Sequence, residues 1–261
     1  MRFIKKAARG IPDIYLTLVL IVLYLPIGVV VAYSFNKSKN GVLWTGFTTE
    51  WYNKLFQSRE IMETFRNSLI VALWSCSIAA VLGSVGAVAL ARGRFRSKGF
   101  IENVSTLPIM LPEIVLGMAY MTSFSLMGIP FGTVTLVLAH LAFCVPYVTI
   151  NVRSRLVGLD PSYEEAARDL GASSARAFIT IVVPLIAPAI LAGVLLAFAM
   201  SLDDMVISLY ASGPEAKTFP VYVYGKLKTN VPPSINAMST LTLGVTCIAV
   251  ALSRVLSGKR R

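Results

Sequence analysis

Charged residues are scarce in this 261-residue sequence: they make up 14% of the chain, against 56% hydrophobic residues and a mean hydropathy of +0.71. A soluble globular domain rarely combines so few charges with so much apolar surface. The sequence also lacks short internal repeats and low-complexity linkers. These properties argue against a soluble domain of ordinary composition and indicate an integral membrane protein.

Cysteine and histidine are also scarce, with three cysteines and one histidine in the whole chain. Cys76, Cys144 and Cys247 all fall inside apolar runs, where we interpret them as small buried hydrophobes and not as disulfide partners or metal ligands. His140 lies inside an apolar run, so the sequence favours a packed, hydrogen-bonded histidine over a metal site. We therefore predict no metal centre.

Two catalytic signatures are absent. No Gly-x4-Gly-Lys-Ser/Thr phosphate cradle occurs, so any ATP-driven step would use another chain. An intramembrane aspartyl protease needs two aspartates on facing helices, but Asp203 and Asp204 are adjacent and would point about 100° apart on one helix. We expect a non-catalytic membrane protein that binds no cofactor itself.

Long apolar runs, in contrast, are abundant. A bilayer core about 30 Å thick needs roughly 20 apolar residues per helix. The apolar run from Ile14 to Val31 is too long for a signal-peptide core and has no Ala-x-Ala exit, so we interpret it as a retained anchor. The sequence predicts six spans in all, at 14–34, 67–91, 103–124, 132–152, 184–207 and 236–256.

The 24 Lys and Arg residues predict the topology, because positive charges near span ends resist translocation. Eight fall on one side of the predicted spans and sixteen on the other. The sixteen are Arg2, Lys5, Lys6, Arg9, Arg92, Arg94, Arg96, Lys98, Arg153, Arg155, Arg168, Arg176, Arg254, Lys259, Arg260 and Arg261. This distribution predicts cytoplasmic termini and a cytoplasmic loop after the fourth span. The net charge of +11 follows from topology and lipid headgroup contact, since such short loops cannot build the basic folded face of a nucleic-acid reader.

The outer segment at 36–65 is rich in aromatic residues. Such residues usually anchor a membrane interface. We favour that interpretation over a direct role in substrate passage, although aromatic faces also attract organic ammonium groups. The aromatic residues are Trp44, Phe47, Trp51, Tyr52 and Phe56.

A charged, helix-forming segment at 160–188 separates two apolar runs. Its first residues, Asp-Pro-Ser at 160–162, offer a polar cap and a proline at a first helical position, and the serine stands at capping-box spacing from Glu165. Gly171 suits the left-handed residue that ends a helix, and Ser173 or Ser174 can cap a second one. The pattern predicts two short helices joined by a turn, which lead directly into the fifth span.

Three acidic residues, Glu113, Asp203 and Asp204, lie in or at the ends of spans, whereas no Lys or Arg lies well inside any span. An ionised side chain at the bilayer centre costs about 2.5–3.5 kcal/mol and usually faces a cavity. Pro112 should kink the third span and aim Glu113 inward. The pattern predicts a pathway for cations; the alternative is that the acids sit at interfacial helix ends or cap neighbouring groups.

The charged segment resembles the EAA loop by which permeases of type I ABC importers engage their ATPase. Over nearly its full length the chain resembles the permease subunits of spermidine/putrescine importers within this binding-protein-dependent (MetI-like) family. The loop resemblance rests on Glu165, Ala166, Ala167, Gly171, Ile181 and Pro184, with Val183 where the family usually has Leu. The wider resemblance rests on Tyr33-Ser-Phe-Asn36, Gly46-Phe-Thr-Thr49 with Trp51-Tyr52, Ser201-Leu-Asp-Asp204, and the outer segment from Gly213-Pro214 to Asn236-Ala237.

This resemblance implies an all-α integral membrane protein of a bacterial inner membrane, with six transmembrane helices and the type I ABC importer permease fold. It implies polyamine import with a second permease subunit, a dimer of ATPase subunits that use ATP and Mg, an extracytoplasmic polyamine-binding protein and membrane lipid, and no nucleic acid. The implied pathway residues are Asp203, Glu113 (where relatives tend to carry Asp), Asp204 and Trp44. The implied ATPase-coupling residues are Glu165, Ala166, Ala167 and Gly171.

We expect three segments along the chain: a tail, first span and outer loop at 1–65, a five-helix permease core at 66–256 with its loop at 154–184, and a basic tail at 257–261. The alternatives left open are an ABC permease for another cation or a small anion, an ion-driven secondary transporter, and a membrane scaffold. A secondary transporter usually shows inverted repeats, which are not seen here, and a scaffold leaves the acids unexplained. The sequence does not decide between spermidine and putrescine, or between paired different permeases and a homodimer.

Overall fold

A computed structural model of the chain describes residues 2–38, 43–227 and 233–258. Within these ranges the chain is helical, and extended backbone pairs only at an isolated antiparallel bridge between Asn36 and Phe47. Residues 259–261 of the predicted basic tail lie outside the described residues. The helices are α1 (Arg2–Tyr33), α2 (Glu50–Gln57), α3 (Arg59–Arg92), α4 (Lys98–Met110), α5 (Glu113–Leu126), α6 (Thr133–Val157), α7 (Ser162–Asp169), α8 (Ser174–Ala177), α9 (Val183–Asp203), α10 (Val206–Ala211), α11 (Phe219–Leu227) and α12 (Ser234–Gly258), with a π-helical turn (Phe178–Val182) between α8 and α9.

The helices bear out most of the predicted spans. Four of the described helical stretches are long and apolar enough to cross a membrane, at Tyr15–Tyr33, Arg59–Arg92, Thr133–Val157 and Ser174–Asp203. The predicted third span is a pair, α4 and α5, bent by 106°, which would make a fifth crossing. The predicted sixth span falls on α12, whose apolar described part is the shorter stretch Ser234–Ile248, so the count of six stays a prediction.

The chain forms two compact units. The first comprises Met1–Arg59 and Lys226–Val245. In it, the side chain of Asn36 organises the outer segment by accepting hydrogen bonds from the backbone N–H groups of Ser38 and Thr45. Trp51 is buried and donates its indole N–H to the backbone carbonyl of Asn36 at 2.6 Å. The interpretation of Trp51 as an interface anchor is therefore wrong, because its polar group has an internal partner, whereas Trp44, Phe47 and Phe56 are exposed.

The second unit comprises Glu60–Gly225 and Thr246–Arg261, and its centre is the packing of α6 against α9. Val148 of α6 is fully buried there. A Cβ built on Gly193 of α9 would lie 2.9 Å from the Val148 Cα, which is too close for any side chain. Small residues allow such close helix approach within a membrane, where packing and not hydrophobic burial holds helices together.

The predicted burial of the cysteines is confirmed for two of the three. Cys76 and Cys144 are buried in the core of the second unit, whereas Cys247 on α12 is exposed. The prediction is wrong for Cys247, because an apolar residue in a membrane helix can face outward at no cost when its surroundings are lipid.

Candidate functional site: an acidic cavity and the loop at 154–184

A cavity of about 490 Å³ opens in the second unit where two helix pairs are broken. All three predicted intramembrane acids line it, although they are up to 91 residues apart in the sequence. The cavity is lined by Pro108, Ile109, Leu111, Pro112, Glu113, Leu116, Phe143, Tyr147, Met200, Asp203, Asp204, Met205, Val206 and Ile207. Among the residues that the structure describes, no Lys or Arg lines this cavity.

Glu113 is placed at the cavity by the break between α4 and α5. The predicted kink at Pro112 is confirmed: α4 ends at Met110, and Pro112 has extended backbone angles (φ −57°, ψ 131°). Its ring has no N–H to continue the α4 hydrogen bonds, while its carbonyl accepts from the Val115 N–H at 2.9 Å and so begins α5. Glu113 is thus the first residue of α5, and its side chain is exposed.

Asp203 and Asp204 are separated by the end of a helix. The prediction of one continuous helix through residue 207 is wrong, because α9 ends at Asp203 and Asp204 has extended angles (φ −62°, ψ 121°) before α10 begins at Val206. Asp203 is exposed, whereas only 5% of the Asp204 side chain is. The two adjacent acids therefore meet different surroundings.

The Asp204 carboxylate caps α10. Its Oδ2 accepts from the backbone N–H of Ser208 at 2.7 Å, and its Oδ1 accepts from the N–H of Ile207 at 3.3 Å. A carboxylate here satisfies amide groups that have no partner within the helix. Capping is the alternative to a pathway role that the sequence leaves open, and the geometry provides a cap at Asp204.

His140 is fully buried beside this cap, and the predicted packed, hydrogen-bonded histidine is confirmed. Its Nδ1 lies 2.7 Å from the Oγ of Ser201, and its Nε2 lies 3.0 Å from the Oγ of Ser208. Nε2 is also 3.4 Å from the Asp204 Oδ2. These partners could not be predicted from the local sequence, because they are brought together only when α6 packs against α9 and α10.

Glu113 and Asp203 differ from Asp204 in having free carboxylates. Within the described ranges, neither carboxylate makes a hydrogen bond or an ion pair with another residue. The cavity volume lies in the range of about 300–1,000 Å³ that is usual for small-molecule sites. Two unpaired carboxylates, with the aromatic rings of Phe143 and Tyr147 in the same wall, make a site suited to organic cations and unfavourable to anions.

Trp44, the fourth predicted pathway residue, belongs to the first unit. Its ring is 53% exposed and lies edge-on to that of Tyr33, with centroids 6.4 Å apart. An exposed indole can offer a face to an ammonium group. Its role in passage stays a prediction.

The loop at 154–184 folds into the predicted pair of short helices, α7 and α8. The cap of α7 is Asp160, whose Oδ1 accepts from the Ser162 N–H at 2.9 Å. Hydrogen bonds from the backbone and hydroxyl of Ser162 lower the pKa of Asp160, so this cap is complete above the usual carboxyl range and is lost as the pH falls through the lowered value. The predicted capping box from Ser162 to Glu165 is misplaced, because Ser162 is already the first helical residue.

Gly171 ends α7 as predicted. Its φ of +89° lies in the left-handed region that favours glycine. The Gly171 N–H donates to the Arg168 carbonyl at 2.9 Å, and the Ala172 N–H donates to the Ala167 carbonyl at 3.0 Å, which is the hydrogen-bond pattern of a Schellman turn. Ser173 then caps α8 by accepting from the Arg176 N–H.

The four predicted coupling residues lie on α7 and on the turn that ends it. Glu165, Ala166 and Gly171 are exposed, and Ala167 is half-buried. An open groove of about 570 Å³ runs along the same surface and is lined by Glu165, Arg168, Asp169, Ala172, Ser173 and Ser174. The neighbouring Leu170 is 90% exposed. The turn thus presents both polar and apolar groups outward, as a surface for another protein would.

Arg92, at the end of α3, holds this loop. Its guanidinium forms an ion pair with Glu164 of α7 at 2.7 Å and lies over the ring of Phe178, 5.3 Å from the ring centre. A second ion pair, between Glu102 of α4 and Arg153 of α6, lies on neighbouring elements. From the sequence alone, these arginines were predicted only to set the topology. Nothing in the local sequence marks their partners.

Comparison with known proteins gives a consistent result along the chain. The family described as "Binding-protein-dependent transport system inner membrane component" matches residues 77–259. The spermidine/putrescine transport system permease protein PotC of Escherichia coli (strain K12) is 37% identical over 243 residues, covering 93% of this chain and 92% of PotC. The putrescine transport system permease protein PotI of the same organism is 42% identical over 229 residues, covering 85% of this chain and 82% of PotI.

The fold is also found among solved structures. A bacterial ABC transporter involved in the import of the acidic polysaccharide alginate contains a chain that matches with a TM-score of 0.72, at 15% identity, over 98% of this chain and 96% of that one. At this identity the likeness shows the fold alone. It confirms the predicted all-α membrane fold of the type I ABC importer permeases. The chain belongs to the family of binding-protein-dependent inner-membrane permeases, with the polyamine permeases PotC and PotI among its relatives.

Proposed function

We propose that this chain is a permease subunit of an ATP-driven importer for polyamines, spermidine or putrescine or both. The observation that carries the proposal is the single cavity in which Glu113, Asp203 and Asp204 converge without a basic residue in its described lining. Similarity over 93% and 85% of this chain to permeases of spermidine/putrescine and putrescine systems supports the same cargo. The chain would form half of the translocation path and perform no covalent chemistry.

The cargo would be held weakly, by groups that replace part of its hydration. The free carboxylates of Glu113 and Asp203 face ammonium groups, and the rings of Phe143 and Tyr147 cover the methylene segments. Trp44 would offer an aromatic face at an earlier stage of passage. The resemblance implies an Asp where this chain has Glu113, and the extra methylene would keep the charge but shift its position.

The energy would come from partner chains. A dimer of PotA-like ATPase subunits, which use ATP and Mg, would engage the surface of α7 and its terminal turn, at Glu165, Ala166, Ala167 and Gly171. A PotB-like second permease would complete the pore, and an extracytoplasmic PotD-like protein would deliver the polyamine. Closure of the ATPase dimer would move α7 and α8 as a unit, and the π-helical turn would pass that motion directly into α9.

The proposed setting is a bacterial inner membrane with both termini in the cytoplasm. This orientation rests on the sixteen Lys and Arg residues that share one side of the spans. The division into 1–65, 66–256 and 257–261 remains part of the proposal.

The test of the proposed function is ATP-dependent uptake of labelled spermidine and putrescine into vesicles that contain this chain with its co-encoded partners. Unlabelled polyamines, other organic cations and small anions serve as competitors. Competition by polyamines alone would establish the cargo and rank the two candidates. ATP-coupled uptake of another solute would replace the cargo, and uptake driven by an ion gradient without ATP would overturn the importer proposal.

The Arg92–Glu164 pair gives a first mutational prediction about coupling. We expect Arg92→Glu to lower the amount of solute imported per ATP hydrolysed by about two- to fivefold, since partly exposed ion pairs contribute about 0.2–1 kcal/mol and Arg92 also loses its contact with Phe178. The double variant Arg92→Glu with Glu164→Arg should recover part of the loss, because the ion pair is restored with its polarity reversed. The readout is the ratio of uptake to ATP hydrolysis in the same vesicles.

Arg94→Glu is the matched control for this pair. Arg94 is exposed on the same connector and makes the same contribution to topology. An equal loss in Arg94→Glu, or no recovery in the double variant, would assign the effect to topology and contradict a specific role of the pair.

A further inference from the structure

His140 occupies an unusual place for the single histidine of the chain. It lies about two turns into α6, fully buried, against the break between α9 and α10. A buried imidazole is costly unless both of its nitrogen atoms have hydrogen-bond partners. Here Nδ1 has Ser201 at 2.7 Å, on the last turn of α9, and Nε2 has Ser208 at 3.0 Å, on α10. One side chain therefore bridges the two helices across their break.

The same imidazole reaches the carboxylate that forms the break. Nε2 lies 3.4 Å from the Asp204 Oδ2, which also accepts from the Ser208 N–H. A neutral imidazole with its proton on Nε2 donates toward Asp204 and Ser208, and its Nδ1 accepts from the Ser201 hydroxyl. Both oxygens of Asp204 are then occupied by groups of the protein itself. Little capacity remains for an ammonium group of the cargo.

Asp203 is the neighbour with the opposite properties. It is exposed, it lines the cavity, and no described residue pairs with its carboxylate. As the last residue of α9, its direction depends on the backbone turn that Asp204 makes with φ −62° and ψ 121°. Whatever fixes the Asp204 side chain therefore also fixes where the Asp203 carboxylate points.

We propose that His140 is a positioning residue for the translocation path: through Asp204 it holds the α9–α10 break and so keeps Asp203 directed into the cavity. Asp204 then acts as a structural cap, and the cargo-facing charges are Asp203 and Glu113. The inference deepens the proposed function and rests on it. It assigns a transport role to a residue that is not exposed to the cavity at all.

The experiment compares His140→Leu with His140→Gln in vesicles that contain the full importer and labelled spermidine or putrescine. Leucine fills the space but leaves the buried acceptor groups of Asp204 and Ser208 short of a donor, so uptake per ATP hydrolysed should fall at least about fivefold. Glutamine offers both an amide donor and an acceptor, and should recover at least half of that loss. Val152→Ala, a fully buried change elsewhere on α6, should leave the ratio unchanged.

Double variants show whether His140 acts through its neighbours. His140→Leu should add little to the loss already caused by Asp203→Asn. The Asp203→Asn side chain is a neutral carboxamide that attracts an ammonium group only weakly, so changing its direction costs little more. Asp204→Asn should reproduce the loss of His140→Leu and add nothing to it. Losses that multiply in the pair with Asp203→Asn would show that His140 acts independently, and losses that multiply with Asp204→Asn would show that Asp204 meets the cargo itself.

The amount of assembled complex separates a positioning role from a merely structural one. If His140→Leu lowered assembly, ATP hydrolysis and uptake in the same proportion, His140 would be a packing residue and the inference would be overturned. A wild-type importer that takes up another solute in place of polyamines would overturn the proposed cargo. The ratio of uptake to ATP hydrolysis measured with that solute would then test His140 separately, so the two failures are distinguishable.

Discussion

Asp203→Asn should lower polyamine uptake by about tenfold or more while the complex assembles normally. The Asp203 carboxylate is unpaired and lines a cavity without a basic residue in its described wall, so the substitution removes a charge that nothing else there replaces. Two unit charges 4 Å apart interact by about 4 kcal/mol at an effective dielectric of ~20, and each 1.4 kcal/mol is about a factor of ten. The measurement is the initial rate of labelled spermidine and putrescine uptake over a concentration series, normalised to assembled complex.

Asp203→Glu is the control for this prediction. It keeps the charge and moves it by one methylene, so we expect it to retain most of the uptake. Unchanged uptake in Asp203→Asn over the whole concentration series would contradict a pathway role. The acid would then be a structural feature of the α9 terminus.

The membrane architecture and the loop could be predicted from the sequence because they depend on local signals. Apolar runs of the right length predicted the helices that cross the membrane, and the helix stop at Gly171 follows from glycine's access to positive φ. The bend at Pro112 is equally local, since a proline lacks the N–H that would continue the helix. In each case the residue itself carries the physical cause.

The different surroundings of Asp203 and Asp204 could not be predicted in this way. On one continuous helix both would be interior residues, and the break that separates them has no proline or glycine to mark it. It is stabilised by contacts from α6, chiefly His140, and by the amide groups of α10. The pairing of Arg92 with Glu164 is similar, since 72 residues separate the partners and only the packed loop brings them together.

The meeting of Glu113 and Asp203 in one cavity could be predicted only in part. The scarcity of basic residues inside the spans indicated that Glu113 and Asp203 share a pathway, but the sequence does not say which helices are neighbours. The structure places them in one cavity because α10 packs against α5, so that the two breaks, at Pro112 and at Asp204, face each other. Two helix interruptions in one wall also leave backbone groups that a polar cargo can meet, which is the usual way in which membrane proteins tolerate broken helices.

Gly171→Val should abolish most transport by uncoupling it from the ATPase. At φ +89° a β-branched side chain is strained by about 1–3 kcal/mol, so the Schellman turn that orients α8 relative to α7 should be lost. We expect at least about tenfold less uptake, with the complex still assembled in the membrane because the spans do not depend on this turn. The measurement is uptake together with ATP hydrolysis in the same vesicles.

Substitutions graded by their tolerance of positive φ test the cause of this loss. Gly171→Asn should retain the most activity, Gly171→Ala less and Gly171→Val the least, because asparagine adopts the left-handed region more readily than other side chains. Gly158→Ala is the matched control: it lies in the same loop, but its φ of −86° is ordinary and an added Cβ meets only normal van der Waals contacts. Equal losses at all three Gly171 variants would point to a direct contact of the partner with the backbone at this position, whereas full activity in Gly171→Val would remove the turn from the coupling mechanism.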